Sequence, residues 1–184
     1  MRIAHHHLIT AFSLVLTAAL TLGASSRNVV AETATPPEEN VKQIALTEAQ
    51  IGNFIAAQKD INAIIAAAPQ GDQPDPKTME QLDAAAKKYQ FADYAEFDAV
   101  EENIGLVMSG IDPDTKKYVG PDAVIKKEIT VIDSEKLPDS DKKEQVDELQ
   151  SELNSPADPI QFPGNIDLVV KNFDKLNAAM APPQ

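Results

Sequence analysis

The residue types that most often perform catalysis are concentrated at the start of this chain. All three histidines, His5, His6 and His7, and both arginines, Arg2 and Arg27, precede residue 32, and there is no cysteine or tryptophan. The rest of the chain therefore lacks the imidazole, thiol and guanidinium groups that supply most general bases, thiol nucleophiles, zinc ligands and phosphate clamps. We expect a protein that is not an enzyme, has no cofactor and no metal site, and forms no disulfide.

Carboxylates that could bind a cation occur near residue 112. Asp112 and Asp114 alternate as they do at the start of a calcium-binding loop. However, the sixth and twelfth positions of such a loop require glycine and glutamate, and here they are Lys117 and Ala123. The pattern favours a turn built on Asp-Pro, and an irregular cation site that also uses Asp122 is the alternative.

Two further patterns could support acid–base or nucleophilic chemistry. Asp98, Glu101 and Glu102 lie about one helical turn apart, and paired carboxylates can serve hydrolysis when burial separates their pKa values. Ser140 and Lys143 have the spacing of a serine activated by a lysine, which requires a desolvated amine. Neighbouring carboxylates would instead keep this lysine charged. We therefore interpret the first group as a solvated helix face and Ser140 as a helix cap.

Four aromatic residues, Tyr89, Phe91, Tyr94 and Phe97, lie within nine positions of one another. Such a cluster can form the contact surface for a protein partner or line a ligand pocket. It can also be the corner at which two consecutive helices pack together. These four residues are our candidate partner or ligand surface, and the packed corner is the interpretation that we favour.

The first 31 residues have the three parts of an export signal. A basic start precedes an apolar run over residues 8–22. Ala31 suits the −1 position of a signal peptidase site, and Val29 is tolerable at −3. The apolar run is shorter than the ~20 residues needed to cross a bilayer. We expect cleavage after Ala31, with Ser26 as second choice. The protein would then be periplasmic or secreted, with no stable membrane anchor after signal cleavage.

The remaining chain is acidic. The full sequence has a formal net charge of −13, and residues 1–31 contribute two arginines but no carboxylate, so the mature protein is more acidic still. This charge disfavours nucleic acid and anionic lipid. It would attract cations or basic partners, although a solvated surface that keeps the protein soluble is the commoner explanation. Apolar residues make up 43% of the chain and recur at helical spacing, which predicts a folded core.

Six amphipathic helices are predicted from their start signals and apolar faces. The first begins at Thr47, which can form a capping box with Gln50, and the second at Asp75 before Pro76. The other predicted starts are Asp93, Pro121, Ser140 and Asn165. The fourth and fifth helices have narrow apolar seams, formed by Val124, Ile125, Ile129 and Ile132 and by Val146, Leu149 and Leu153.

These elements predict the domain organisation. Residues 32–45 form a disordered leader, residues 46–181 a single helical domain, and residues 155–164 a proline-rich strap before the last helix. No run of residues alternates as the strands of a hairpin would. We therefore predict an all-α fold, arranged as an antiparallel helical bundle or as stacked helical hairpins of about six helices.

Two resemblances to known proteins are present. The segment Leu46-Thr47-Glu48-Ala49-Gln50 resembles the Leu-Thr-x-x-Gln motif of exported helical chaperones of the Spy and CpxP type. That resemblance implies an ATP-independent periplasmic holdase or stress regulator with a helical cradle. The segments at residues 89–97 and 160–164 are similar to small uncharacterised exported helical proteins of Gram-negative bacteria, which implies no particular activity.

Together these features predict an exported, non-catalytic helical protein that binds a partner and takes part in maintenance of the cell envelope. Two alternatives are open at the level of the sequence. One is a periplasmic ATP-independent chaperone-like protein, and the other is a soluble binder of small apolar or cationic ligands. The identity of the protein partner or small ligand is not indicated, and no nucleic acid is expected to bind.

Overall fold

The structure is a computed structural model that describes residues 41–69, 75–155 and 158–181. The predicted export signal and residues 32–40 of the predicted leader lie outside these ranges. The described chain has six helices, α1 (Glu48–Ala67), α2 (Pro76–Lys88), α3 (Tyr94–Met108), α4 (Pro121–Ser134), α5 (Asp139–Asn154) and α6 (Gly164–Met180). The all-α prediction is therefore confirmed.

A small β-hairpin lies between α3 and α4, where no strand was predicted. Its strands, β1 (Ile111–Asp112) and β2 (Lys117–Tyr118), are two residues each and pair antiparallel, with Ile111 opposite Tyr118. The hairpin requires glycine at position 110, because a Cβ there would overlap the ring of Tyr118. Gly105 differs, since nothing lies within 4 Å of the place where its Cβ would stand.

Most of the predicted helix starts are confirmed in atomic detail. Gln50 N–H donates to Thr47 Oγ1 at 3.2 Å and Thr47 N–H donates to Gln50 Oε1 at 3.0 Å, which completes the capping box. Asp75 Oδ1 accepts from Lys77 N at 2.9 Å at the start of α2. At α3, Asp93 accepts from the backbone of Glu96, and α4 begins with Pro121.

Two of the predicted caps are wrong. The fifth helix begins one residue earlier than predicted, after Pro138, and the hydroxyl of Ser140 donates to Asp141 instead of capping the helix. The sixth helix begins after Pro163, and Asn165 lies inside its first turn. In both cases proline precedes the helix, and its restricted φ already suits the chain for entering one.

Four helices, α1, α2, α3 and α6, pack around the main core and form what we call the body. Its largest fully buried side chains are Phe54, Phe97, Ile51, Ile61, Leu82, Ile104, Leu176, Val100, Val107 and Val169. Burying each large aliphatic or aromatic side chain contributes about 1.5–3 kcal/mol before conformational entropy is counted. The apolar periodicity of the sequence thus places the expected faces inward.

The remaining two helices pack against each other instead of joining that core. Ile125, Ile132 and Leu149 form a separate small core, flanked by Ile129, Val146 and Leu153. Apart from Val124, which is not part of this core, these are the residues of the seams predicted from the sequence. We call residues 121–154, which comprise α4, the connecting turn and α5, the arm. It joins the body through contacts between α4 and β1.

Candidate interaction surfaces

The four candidate aromatic residues lie at the corner where α2 and α3 meet and pack on α1. Phe97 is fully buried, stacks on Phe54 at 5.2 Å between ring centroids, and meets the edge of Phe91 at 5.4 Å. Tyr94 stacks on the other side of Phe97 at 5.8 Å. Phe91 and Phe97 are therefore part of the core, and only Tyr89 and Tyr94 reach the surface. A partner role for these two tyrosines stays a prediction.

Tyr89 belongs to a polar contact between α1 and the end of α2. Its hydroxyl donates to Asp60 Oδ2 at 2.8 Å, and Lys88 Nζ binds the same oxygen at 2.7 Å. These hydrogen bonds, first that of Lys88 and then that of Tyr89, hold the pKa of Asp60 below its usual value. The group links two helices, and its charges are already paired with each other.

One carboxylate on α3 is less solvated than the sequence predicts. Glu101 is partly buried against α1, where Gln58 Nε2 donates to Glu101 Oε1 at 3.2 Å, while Asp98 and Glu102 are exposed. Burial raises the pKa of Glu101, and the hydrogen bond from Gln58 opposes that rise. Burial also raises the pKa of nearby Tyr94 to about 12. The solvated-face interpretation is therefore wrong for Glu101.

The carboxylates of Asp112 and Asp114 form ion pairs with the ammonium group of Lys127. Lys127 Nζ lies 2.8 Å from Asp112 Oδ2 and 2.6 Å from Asp114 Oδ2. The other oxygen of Asp112 accepts the backbone N–H groups of Asp114 and Thr115, as in an Asp-initiated turn. Lys127, followed by the Thr115 N–H, lowers the pKa of Asp112 to about 2. The turn interpretation fits, and the two carboxylates fasten the arm to the hairpin.

The Ser-x-x-Lys pattern does not bring its two side chains together. Lys143 Nζ forms an ion pair with Asp147 one turn further along α5. An open depression of about 250 Å³ lies between the end of α4 and the start of α5. It is lined by Asp133, Asp139, Lys142, Lys143, Val146 and Asp147. The depression is open to solvent, and charged side chains supply most of its lining residues.

Two buried asparagines hold the chain before α1, a feature that the sequence analysis missed. We call residues 41–46 the N-terminal segment. Asn103 of α3 accepts Ile44 N–H at 2.9 Å and donates to Lys42 C=O at 3.0 Å. Asn165 of α6 accepts Leu46 N–H at 2.8 Å and donates to Ile44 C=O at 2.8 Å. The two carboxamides satisfy one edge of an extended chain, as a neighbouring β-strand would.

The N-terminal segment is therefore part of the folded domain. Leu46 is 6% exposed and lies in the main core, and Ile44 packs against the same core. The predicted boundary at residue 46 is wrong, because residues 41–45 make specific contacts instead of belonging to a disordered leader. One sequence signal could have indicated this contact. Asn103 is a polar residue on the otherwise apolar face of α3, and a buried carboxamide needs hydrogen-bond partners.

Gln43 in turn fastens the strap before α6. Its Nε2 donates to Pro159 C=O at 3.0 Å, and its Oε1 accepts Gln161 N–H at 2.7 Å. Ile160, between these two residues, packs against the main core. Residues 159–161 of the strap predicted from its prolines are therefore linked to the N-terminal segment through the Gln43 side chain.

The arm is the most solvent-exposed helical unit of the described chain. Helix α5 packs mainly on α4, through a seam on one face only. Glu144, Glu148 and Glu152 follow one another at four-residue spacing on a different, exposed face of α5. Carboxylates at this spacing repel each other and weaken an isolated helix by about 0.2–0.5 kcal/mol per pair. Residues that reduce local stability are often retained for a contact with something else.

Comparison of the chain with protein-family models, with curated proteins and with solved structures found no match. Within the described ranges, no helix combines the length and the apolar character needed to cross a membrane.

Proposed function

We propose that this is an exported, non-catalytic helical protein that binds a protein partner and takes part in maintenance of the cell envelope. The observation that carries the proposal is the arm, which has a core of its own and stands apart from the main core. Its α5 helix presents an exposed row of carboxylates to solvent. Because the whole chain has a formal net charge of −13, the favoured partner has a basic surface.

A photo-crosslinking experiment in cells tests the partner-binding role. A photo-reactive amino acid is placed at exposed positions of the arm, Val131 or Gln145, and at exposed positions of the body, Met79 or Ala84. We expect a discrete adduct from the arm positions only. An adduct of equal yield from all four positions, or from the body positions alone, would contradict the proposal.

Charge reversal identifies the face of the arm that makes the contact. Glu144→Lys combined with Glu148→Lys should reduce the yield of the arm adduct at least tenfold, since it replaces two carboxylates on the exposed row of α5. The matched control is Glu80→Lys, which reverses an exposed carboxylate on α2 and should leave the yield unchanged. Equal effects of the two changes would indicate general charge attraction instead of a defined surface.

Export itself has a direct test. The amino-terminal signal pattern supports cleavage after Ala31, so the protein purified from the periplasm or medium should begin at Glu32 by mass spectrometry. Persistence of residues 1–31 in the mature protein would refute this part of the proposal.

A small-ligand role is the second candidate, and the open depression at the end of the arm is the observation that favours it. Its mixed carboxylate and lysine lining suits a small cationic or zwitterionic ligand. A thermal shift with a divalent cation or a small polyamine that disappears in Asp147→Asn would support this role. No shift with either probe would remove it.

A chaperone-like role is the third candidate and depends on the Leu46–Gln50 resemblance. It predicts that the purified protein suppresses aggregation of an unfolding client at a near-stoichiometric ratio. Aggregation that proceeds at the same rate with and without the protein would exclude it.

A further inference from the structure

Within the described ranges, the outer edge of the N-terminal segment has no hydrogen-bonded neighbour. In an extended chain, the backbone groups of successive residues point to opposite edges. Lys42, Ile44 and Leu46 direct theirs toward Asn103 and Asn165. The N–H and C=O groups of the intervening residues, 43 and 45, therefore point the other way. None of the described residues forms a hydrogen bond with these groups.

The backbone of this edge is already ordered before any partner binds. The two asparagines fix the segment in its extended conformation, and Leu46 anchors it in the core, so binding another strand would order little additional chain. The side chain of Ala45 is small and exposed to solvent. A strand edge with free donors and acceptors is a template to which another extended chain can add.

We propose that the outer edge of residues 41–46 binds an extended, basic segment of a partner protein by adding it as a β-strand. The incoming strand accepts the N–H groups of Gln43 and Ala45 and donates to their C=O groups. The basic character follows from charge complementarity, because the chain carries a formal net charge of −13. A second copy of the chain carries the same charge, so repulsion disfavours pairing between copies.

The inference rests on the proposed function only in requiring a protein partner. It concerns a different surface from the arm, and its test uses synthetic peptides that do not depend on the arm. A failure of peptide binding at this edge would leave the crosslinking result at the arm unaffected, and the reverse also holds.

The substitution Ala45→Pro tests binding at the outer edge without removing the hydrogen bonds that hold the segment in the fold. Ala45→Pro removes one N–H from the outer edge, while the hydrogen bonds of Ile44 and Leu46 to the asparagines stay in place. Proline suits an extended backbone, and it also favours an extended residue before it. The matched control is Ala45→Ser, which changes the side chain and keeps the N–H.

The probes are two fluorescent nonapeptides, one alternating lysine with valine and one alternating glutamate with valine. Binding to the full chain is measured by fluorescence anisotropy, and hydrogen exchange of the Gln43 and Ala45 amides is measured by NMR. We expect the lysine peptide to bind at least tenfold more tightly than the glutamate peptide and to slow exchange of both amides at least tenfold. Ala45→Pro should weaken binding at least tenfold, and Ala45→Ser less than twofold.

Four outcomes would overturn the proposal. Lysine-peptide binding that is equal in Ala45→Pro and the unmodified chain would indicate attraction to the surface in general. Absence of binding by the lysine peptide would also refute it. Amide protection without peptide that increases with protein concentration would identify a second copy as the occupant. Protection without peptide at every concentration would show that this chain already covers the edge.

Discussion

Replacing Asn103, a buried polar residue on the otherwise apolar face of α3, by alanine should destabilise the whole body. The Asn103 side chain is 1% exposed and its carboxamide forms hydrogen bonds to Ile44 N–H, Lys42 C=O and Ala99 C=O. Alanine at this position keeps the helix but removes all three bonds. The expected decrease in the free energy of unfolding therefore reports what the N-terminal segment contributes to stability.

The size of this decrease in the free energy of unfolding depends on whether the N-terminal segment stays in place or leaves the body. If the segment stays in place, two partly buried backbone groups lose their partners, at about 1–3 kcal/mol each. If it leaves, the burial of Leu46 is lost, which is about 1.5–3 kcal/mol, together with the bonds to Asn165. The freed chain recovers some conformational entropy in that case. We expect a net loss of about 2–4 kcal/mol.

Urea unfolding followed by circular dichroism at 222 nm measures this loss, and hydrogen exchange of the Leu46 amide reports the segment directly. The matched control is Asn177→Ala, which removes an exposed asparagine from α6 and should change the free energy of unfolding by less than about 0.5 kcal/mol. A loss in Asn103→Ala no larger than that of the control would refute the reasoning, because the segment would then add nothing to the stability of the body.

Three further predictions concern titration and backbone. Since burial raises the folded-state pKa of Glu101, the ionised carboxylate opposes folding at neutral pH, and stability rises as the pH falls through that pKa. Glu101→Gln should thus raise the Tm at pH 7, with a gain that vanishes near about pH 3; an unchanged Tm at pH 7 would contradict this. The folded-state pKa of Asp112, about 2, lies below its unfolded value, so its contribution is complete above about pH 4 and is lost toward pH 2. Lys127→Met should flatten the acid limb of a Tm-against-pH curve, and an unaltered limb would count against the pairing. Gly105→Ala should stabilise the chain by about 0.5–1 kcal/mol in urea unfolding, because there is space for the methyl group. Gly110→Ala should destabilise it by about 1–3 kcal/mol through its overlap with Tyr118, and equal effects of the two changes would refute this comparison.

The sequence was sufficient to predict the helices and their buried faces. Apolar periodicity identified the seams of α4 and α5, because a helix in water can hide only one stripe of side chains. The capping signals at Thr47 and Asp75 worked because they satisfy donors of their own first turn. Ser140 and Asn165 failed as caps because a proline precedes each of their helices and sets the start earlier.

Long-range polar contacts were beyond reach from sequence patterns. The apolar face of α3 indicates that Asn103 is buried, but nothing local indicates that it binds a segment about sixty residues away. Glu101 was placed on a solvated face for the same reason, because its partner Gln58 belongs to another helix. Spacing predicts which face a residue occupies, whereas the element that covers that face depends on the tertiary arrangement.

The bonds between the N-terminal segment and α6 also constrain the order in which the domain can be completed. Asn165 follows Leu46 by 119 residues, so a growing chain on the ribosome cannot close this contact until the first turn of α6 has emerged. Contacts of such long sequence separation are slow to form.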